Sequence, residues 1–204
     1  MISARTRMVV VVTAMVVIAA TLVGLSVRRP SVPMFAPTTA APTDVGRARV
    51  GPILYTVDAT SPERWRHFSF HLGSVIDDAG PLDWDLGFRR FQIIANGGPR
   101  FAGRGGVVDL GDVAFADVAS APESGYVPTE GGGEPRNAAL AGWYRYGFFS
   151  HMLTPRRRVW AVRGADGRYA KLEIVSYYCP DFQPGCLTFR YVFQGDGSRR
   201  FEGG

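Results

Sequence analysis

The chain has 204 residues and a formal net charge of +5, and 46% of the residues are hydrophobic and 12% aromatic. This composition excludes intrinsic disorder and predicts a globular domain with a core. Four of the 23 basic residues flank one apolar segment near the N-terminus, which leaves 19 basic and 18 acidic residues elsewhere. Because nucleic-acid binding needs a clustered basic excess, this near-neutral remainder argues against nucleic acid as a partner.

An uncharged stretch from Val9 to Val27 is long enough to span a bilayer. As a helix it would measure about 28 Å, close to the ~30 Å hydrocarbon core of a membrane. It is longer than a typical signal-peptide core, which favours an uncleaved signal-anchor in residues 1–29. The alternative is a cleaved signal, for instance one processed after Ser26, with small residues at Gly24 and Ser26.

Residues 30–46 are rich in proline and threonine and show no hydrophobic periodicity. Because proline-rich chain is extended and semi-rigid, this segment predicts a linker that holds a domain away from the membrane. The remaining residues, 47–204, are enough for one domain with its own core.

Short β segments separated by glycine, proline and aspartate turns predict an all-β domain of antiparallel hairpins. In Trp65–Leu72 alternate residues are apolar, as in a strand with one buried face. Ala165–Gly167 separates two β-rich runs and predicts a hairpin. One short helix is predicted at Phe115–Ala119 and an irregular loop at 122–137. The other predicted strands are Ile53–Asp58, Asp85–Ala95, Val159–Arg163, Arg168–Tyr178 and Leu187–Gln194.

The two cysteines, Cys179 and Cys186, flank a loop that contains Pro180, Pro184 and Gly185. Strand-like runs on both sides would bring the ends of this loop together, so the spacing favours an intramolecular disulfide. Zinc is disfavoured because no further cysteine or paired histidine lies near. A disulfide requires an oxidising compartment, which places the domain outside the cytoplasm. The alternative is two buried free thiols.

Catalytic and metal-binding constellations are absent from the sequence, which has three histidines. On one predicted strand His67 and His71 would be about 13 Å apart, at ~3.3 Å per residue, too far to share a small metal ion. No nucleophile elbow, phosphate-binding loop or HExxH motif occurs. The chain is therefore expected not to be an enzyme.

A series of β segments and turns occurs in a fixed order between roughly residues 55 and 194. They are Trp65–Phe70 with Gly73, Trp84–Asp85 with Arg89 and Asn96–Gly98, Gly103–Val107, Pro122–Tyr126, Gly142–Trp143, Val162–Gly167 and Thr188–Phe193. This ordered set resembles the HmuY family, extracytoplasmic bacterial proteins that bind haem. The resemblance implies an HmuY-like β fold and a non-enzymatic haem-binding function.

The resemblance also implies where haem would bind. In the family, haem is held by two axial histidines on hairpin-like extensions, and some members use methionines. One ligand arises in an insertion before the Gly-Trp pair, and here that insertion is short and contains no histidine or methionine. The other arises between this tryptophan and the Asp-Gly hairpin. There the chain has His151, the candidate axial ligand to haem iron, with Met152, Tyr146 and His71 as further candidate haem-binding residues.

Side chains around His151 are suited to a porphyrin. Arg145 or the run 156–158 could pair with the propionates. Four aromatic residues could face the ring: Tyr144, Tyr146, Phe148 and Phe149. The alternative is that His151 is a surface or loop histidine and that these aromatics belong to the core.

The sequence thus predicts a membrane-tethered, extracytoplasmic protein that captures haem, with haem and an envelope haem-uptake system as its partners. The alternative is a β-rich adhesion or interaction module that keeps the tether and the scaffold without haem. Binding of another apolar ligand is a third interpretation.

Overall fold

The computed structural model describes residues 3–27 and 31–202. Within these ranges one α-helix precedes eleven β-strands and two short 3-10 helices. The helix is α1, Ala4–Val27, and the 3-10 helices are Phe115–Asp117 and Pro180–Phe182. The strands are β1 Arg49–Asp58, β2 Arg66–Ser69, β3 Ser74–Ile76, β4 Leu86–Arg89, β5 Gln92–Ala95, β6 Gly106–Asp109, β7 Tyr144–Tyr146, β8 Leu153–Pro155, β9 Val159–Arg163, β10 Tyr169–Tyr178 and β11 Pro184–Gln194. All these strands pair antiparallel, which confirms the predicted fold class.

Helix α1 is predominantly apolar after Arg5 and Arg7, and its segment Ala4–Ser26 is not buried in the domain. Its segment Ala4–Ser26 is long and apolar enough to cross a membrane. This confirms the predicted N-terminal helix of membrane-spanning character, and retention or cleavage of the helix stays a prediction. Arg28, Arg29 and the expected start of the linker at Pro30 lie outside the described residues.

Two sheets pack face to face through aromatic side chains. The large sheet has the order β1-β11-β10-β9-β6, and the small sheet has the order β3-β2-β4-β5. Phe189 of the large sheet lies between Phe68 and Phe88 of the small sheet, with ring centroids 5.1 and 5.5 Å away. Phe70 packs against Tyr191 in the next layer of the same interface. Alternate residues of β11 therefore build the main core.

The opposite face of the large sheet carries a second, smaller cluster that includes Phe115, Val118, Val192 and Phe201. Lys171 is buried at this face, and its Nζ donates hydrogen bonds to the carbonyl oxygens of Phe115 (2.8 Å) and Val118 (2.7 Å). Burial lowers the pKa of this lysine. Both faces of the large sheet are thus covered, which explains why β10 and β11 are buried along most of their length.

Asp85 joins the two sheets. Its Oδ2 accepts a hydrogen bond from the Phe70 amide and its Oδ1 accepts one from the Ala165 amide, both at 2.8 Å. A Cβ at Gly164 would lie 2.5 Å from this Oδ1, so only glycine fits there. Desolvation raises the pKa of the Asp85 carboxyl to about 6, although both hydrogen bonds favour the charged form. The sequence predicted only a strand that begins at Asp85, without this link between the sheets.

The proline-rich segment lies against the domain. Val32 is buried in the main core, and the Phe35 amide donates to the Tyr178 carbonyl at 3.1 Å. Further along, the Val45 amide donates to the His71 carbonyl at 3.0 Å. Residues 31–46 are therefore extended, as their proline content suggests, but they pack along the domain. The predicted linker did not include this packing, because a proline-rich composition does not reveal which apolar residues find a core.

Two predicted strands are interrupted. The segment Trp65–Leu72 is a strand only from Arg66 to Ser69, after which the chain turns, so His71 lies in a turn and not on the strand of His67. Asp85–Ala95 is a hairpin of β4 and β5, with a turn in which Arg90 has a φ of +51°. The turn contains no glycine or proline, so the sequence gives no turn signal there.

Other local predictions are confirmed. Cys179 and Cys186 form a disulfide with their Cα atoms 4.8 Å apart. The β9–β10 hairpin turns at the predicted position, where Gly167 takes a φ of +90° that favours glycine. A single 3-10 turn stands at Phe115–Asp117, within the predicted short helix. Strands β7 and β8 were not predicted, and they carry the candidate site.

Candidate functional site

Strands β7 and β8 form a hairpin that contacts the core at both ends of its strands. The Leu153 amide donates to the Tyr178 hydroxyl at 2.8 Å, and Trp143, directly before β7, is buried. The Trp143 indole donates to the Phe91 carbonyl at 2.9 Å. These contacts fix the hairpin strands to the core, and residues 147–151 of the connecting loop form a tip in which no residue is buried.

The tip is a tight turn. The Gly147 amide donates to the Met152 carbonyl and the His151 amide donates to the Gly147 carbonyl, both at 2.8 Å. His151 has a φ of +53°, in the left-handed region, which reverses the chain just before β8. This backbone directs the His151 and Met152 side chains to different surroundings.

Three aromatic side chains are exposed at the tip. Phe148 is 74% exposed, Tyr146 55% and Phe149 43%. The Phe148 and Phe149 rings meet edge to face with centroids 5.4 Å apart. These side chains therefore do not belong to the core, and they present apolar area directly beside His151.

His151 and Tyr146 are brought together. The imidazole Nδ1 lies 2.5 Å from the Tyr146 hydroxyl, and Nε2 has no partner within residues 3–27 and 31–202. If Nδ1 carries the proton and donates to the tyrosine oxygen, the Nε2 lone pair is free to bind a metal ion. A hydrogen bond of this kind to the other ring nitrogen is how proteins orient a ligating histidine.

Met152 is separated from this arrangement by burial. Its side chain is 6% exposed and belongs to the main core, whereas the His151 side chain is exposed. The sequence grouped the two residues because they are adjacent. The reversal of the chain at His151 places them in different environments.

His71 lies elsewhere and both of its ring nitrogens are engaged. Its Nδ1 is 2.9 Å from an Arg168 guanidinium nitrogen, which can only donate, and its Nε2 is 3.1 Å from an Asp44 carboxylate oxygen. Arg168 is at the start of β10, whereas the β7–β8 hairpin contacts Tyr178 at its end, roughly 30 Å away at about 3.3 Å per residue. The structure therefore does not bring His71 to His151.

The third histidine, His67, also has a scaffold position. Its ring stacks on Trp84 with centroids 4.4 Å apart. Desolvation and, to a smaller extent, the charge of Arg66 lower its pKa.

The nearby arginines differ in availability. Arg158 forms an ion pair with Asp109 at 2.5 Å. Arg156 donates from its Nε to the Tyr144 carbonyl at 3.0 Å and is exposed, as are Arg145 and Arg157. Of the four arginines proposed for propionates, Arg158 is thus already paired.

A cleft of about 290 Å³ opens at the base of the hairpin, and sequence reasoning missed it. Phe91 and Tyr144 meet edge to face at its wall, with centroids 5.9 Å apart. Its other side is formed by Glu134–Asn137, from the short insertion before the Gly-Trp pair. The unpredicted β4–β5 turn supplies Phe91, so the cleft could not be assembled from the sequence.

Comparison with known proteins identifies the scaffold. The family model described as HmuY protein matches residues 61–191, which include the β7–β8 hairpin. The chain belongs to the HmuY family. This confirms the resemblance found in the sequence, and the family is one of non-enzymatic binding and transport proteins whose members are generally haem binders.

Solved structures share the HmuY fold with this chain at low sequence identity. The apo HmuY analogue of Tannerella forsythia has a TM-score of 0.59 and 18% identity, covering 74% of this chain and 99% of its own. A candidate HmuY-like haem-binding protein from Bacteroides vulgatus has a TM-score of 0.56 and 22% identity, covering 76% and 97%. Apo PinO from Porphyromonas gingivitis has a TM-score of 0.57 and 13% identity, covering 70% and 96%. No curated protein sequence matches the chain.

Proposed function

We propose that this chain is a non-enzymatic, extracytoplasmic protein that captures haem at the tip of the β7–β8 hairpin. The observation that carries the proposal is membership of the HmuY family over a range that contains this hairpin. The disulfide supports the extracytoplasmic assignment, because such bonds persist in oxidising compartments.

His151 is the proposed axial ligand. Its imidazole is exposed, the Tyr146 hydroxyl holds its Nδ1, and its Nε2 has no partner among the residues that the structure describes. Phe148 and Phe149 offer apolar area to the porphyrin, and Arg145 offers a cation to a propionate. Bound haem would supply an iron centre that accepts an imidazole nitrogen as a ligand.

A single protein ligand fits the described residues better than two. Met152 is buried, His71 is held between Arg168 and Asp44, and His67 is stacked on Trp84. The insertion that supplies a ligand in other family members contains no histidine or methionine here. We therefore expect haem with one protein ligand rather than bis-histidine or histidine–methionine coordination.

The short insertion also favours a second candidate function. A family member that lacks one ligand-bearing extension could keep the β scaffold and the tether as an adhesion or interaction module without haem. The two functions differ in one measurable property, which is saturable haem binding.

Haem titration of the full chain in detergent distinguishes them. A shifted Soret band that saturates at one equivalent supports capture, and a spectrum equal to that of haem in the same detergent without protein refutes it and favours the interaction module. Because residues 31–46 pack on the domain, any shortened chain should begin at Ser31 and not at residue 47.

The proposal includes an uncleaved membrane tether and delivery of haem to an envelope uptake system. The length of α1 supports the tether. We expect the membrane-bound protein to keep its N-terminus and to resist carbonate extraction. A mature N-terminus near Val27, read by mass spectrometry, would show that α1 is a cleaved signal.

A further inference from the structure

The segment that follows the membrane helix meets the domain beside the β7–β8 hairpin. Ser31–Pro33 line a shallow groove together with Thr154–Arg157 of the hairpin and Glu173–Val175 of β10. The Ser176 hydroxyl donates a hydrogen bond to the Pro33 carbonyl and fixes this path. The chain therefore leaves the domain towards α1 at the side where β8 lies.

The connection to α1 is short. The helix ends at Val27 and the packed segment begins at Ser31, four Cα–Cα steps later. At 3.8 Å per step, these two Cα atoms are at most about 15 Å apart. If α1 spans a bilayer, Arg156 and Arg157 beside Ser31 lie near the lipid surface, and the tip lies only a few residues further along β8.

The charge of this region suits an anionic lipid surface. Between Glu134 and Asp166 the sequence has no acidic residue and six arginines. Arg145, Arg156 and Arg157 are exposed, and none has an acidic partner within 4 Å in the described part of the chain. Guanidinium groups bind phosphate with bidentate geometry, and each basic residue near an anionic membrane strengthens attachment.

The tip supplies the apolar half of the same surface. Phe148, Phe149 and Tyr146 are exposed on a hairpin that is hydrogen-bonded to the core through Tyr178. Aromatic rings flanked by arginines are the composition of elements that lie in the membrane–water interface. A protein partner would also cover aromatics, but the short connection to α1 and the unpaired arginines favour lipid.

We propose that the β7–β8 hairpin is a membrane-interface element, in which Phe148 and Phe149 enter the headgroup layer and Arg156 and Arg157 bind lipid phosphates. This goes beyond haem capture and rests on the proposed retention of α1. It orients the domain on the bilayer and places His151 at the lipid surface, where an apolar ligand would concentrate.

Tryptophan fluorescence of the full chain tests the insertion. The chain, with its N-terminus verified by mass, is reconstituted into phosphatidylglycerol vesicles with or without brominated lipid. Phe148→Trp should add a blue-shifted emission that brominated lipid quenches at least about twofold. The unsubstituted chain corrects for the four native tryptophans.

Leu82→Trp is the matched control, because Leu82 is 59% exposed beside Asp166 and Arg168, at the other end of β10. Its emission should be red-shifted and unquenched. Equal, unquenched emission from both variants would overturn the proposal and point to a protein partner for the tip.

The arginines are tested in the Phe148→Trp background. Arg156→Gln with Arg157→Gln should reduce quenching in phosphatidylglycerol vesicles, whereas Arg47→Gln with Arg200→Gln should not, although the charge change is equal. Arg47 and Arg200 are exposed beside Asp196, at the other end of the large sheet. Equal effects of the two pairs would refute phosphate binding by Arg156 and Arg157.

No haem is present in these assays, so failure of haem capture and failure of membrane contact are separate results.

Discussion

The interface between the two sheets and the tip of the β7–β8 hairpin use the same residue types with opposite exposure. Phe68, Phe189 and Tyr191 between the sheets are at most 1% exposed, whereas Phe148 at the tip is 74% exposed. Each ring between the sheets is surrounded by other rings, and the tip rings meet mainly each other. Burial, and not residue type, therefore separates aromatics that stabilise the fold from aromatics available for binding.

The histidines follow the same division. His67 is stacked on Trp84 and His71 is held at both nitrogens, so both are engaged by the scaffold. His151 is held at Nδ1, and within the described part of the chain its Nε2 has no partner. A ligand therefore has one available imidazole among the described residues, and it lies beside the exposed aromatics.

The largest expected effect is the difference in unfolding free energy between loss of a core aromatic and loss of a tip aromatic. Phe189→Ala should lower the free energy of unfolding by about 3–5 kcal/mol, because it leaves a cavity between the sheets. Phe148→Ala should change it by less than about 0.5 kcal/mol. Chemical denaturation measures both. If Phe189→Ala does not fold, Phe189→Leu should still destabilise more than Phe148→Ala, and equal effects would break the comparison.

The next effect concerns the carboxyl that joins the sheets. Burial raises the Asp85 pKa from 3.8 to about 6, so the folded state binds more protons than the unfolded state between these values. Asp85 therefore contributes stability that is present below pH 4 and is lost as the pH rises through about 6. The shift corresponds to about 3 kcal/mol.

This pH dependence is measured as the difference between the original chain and Asp85→Asn. The pKa of His67 is lowered, so its contribution to stability rises with pH in this range and opposes the loss from Asp85. The pKa values of Asp58 and Asp196 are also lowered, and the stability that these carboxylates contribute is lost only in more acidic solution. The difference in unfolding free energy should fall between pH 4 and 7. An unchanged difference over this range would show that Asp85 does not titrate there.

A smaller effect is expected at the tip. His151→Ala should weaken haem binding at least tenfold, about 1.4 kcal/mol, and alter the Soret band. Tyr146→Phe should change the band less, because it removes the partner of Nδ1 and keeps the ligand. His71→Ala is the control and should leave the band unchanged. Haem binding that survives His151→Ala with the same spectrum would refute this ligand assignment.

The smallest expected effect is on stability, from removal of the buried Tyr191 hydroxyl. The Tyr191 hydroxyl is buried and has no hydrogen-bond partner within the described ranges. Tyr191→Phe should therefore be neutral or stabilise by up to about 1 kcal/mol, because an unsatisfied polar group is removed. Tyr55→Phe is the matched control, because the Tyr55 hydroxyl accepts a hydrogen bond from the Val75 amide at 3.1 Å. Loss of this hydrogen bond should lower the free energy of unfolding by about 1 kcal/mol. If Tyr191→Phe destabilises the protein and Tyr55→Phe does not, the Tyr191 hydroxyl has a hydrogen-bond partner in solution.

The features that could be predicted from the amino-acid sequence are those that depend on local order along the chain. Alternating apolar residues predicted strands, Asp166-Gly167 predicted the β9–β10 hairpin, and the loop between Cys179 and Cys186 predicted a disulfide. The order of the aromatic and glycine segments identified the family. These signals are local because side-chain period, turn conformation and loop closure depend on neighbouring residues.

Which chemically similar residues share an environment could be read only from the packing of the folded chain. It placed Met152 in the core and His151 outside, set His71 in a turn beside Arg168, and packed the proline-rich segment on β10. It also made Asp85 a link between two sheets. Such outcomes depend on contacts between residues distant in sequence, which the hydrophobic pattern of any single segment does not specify.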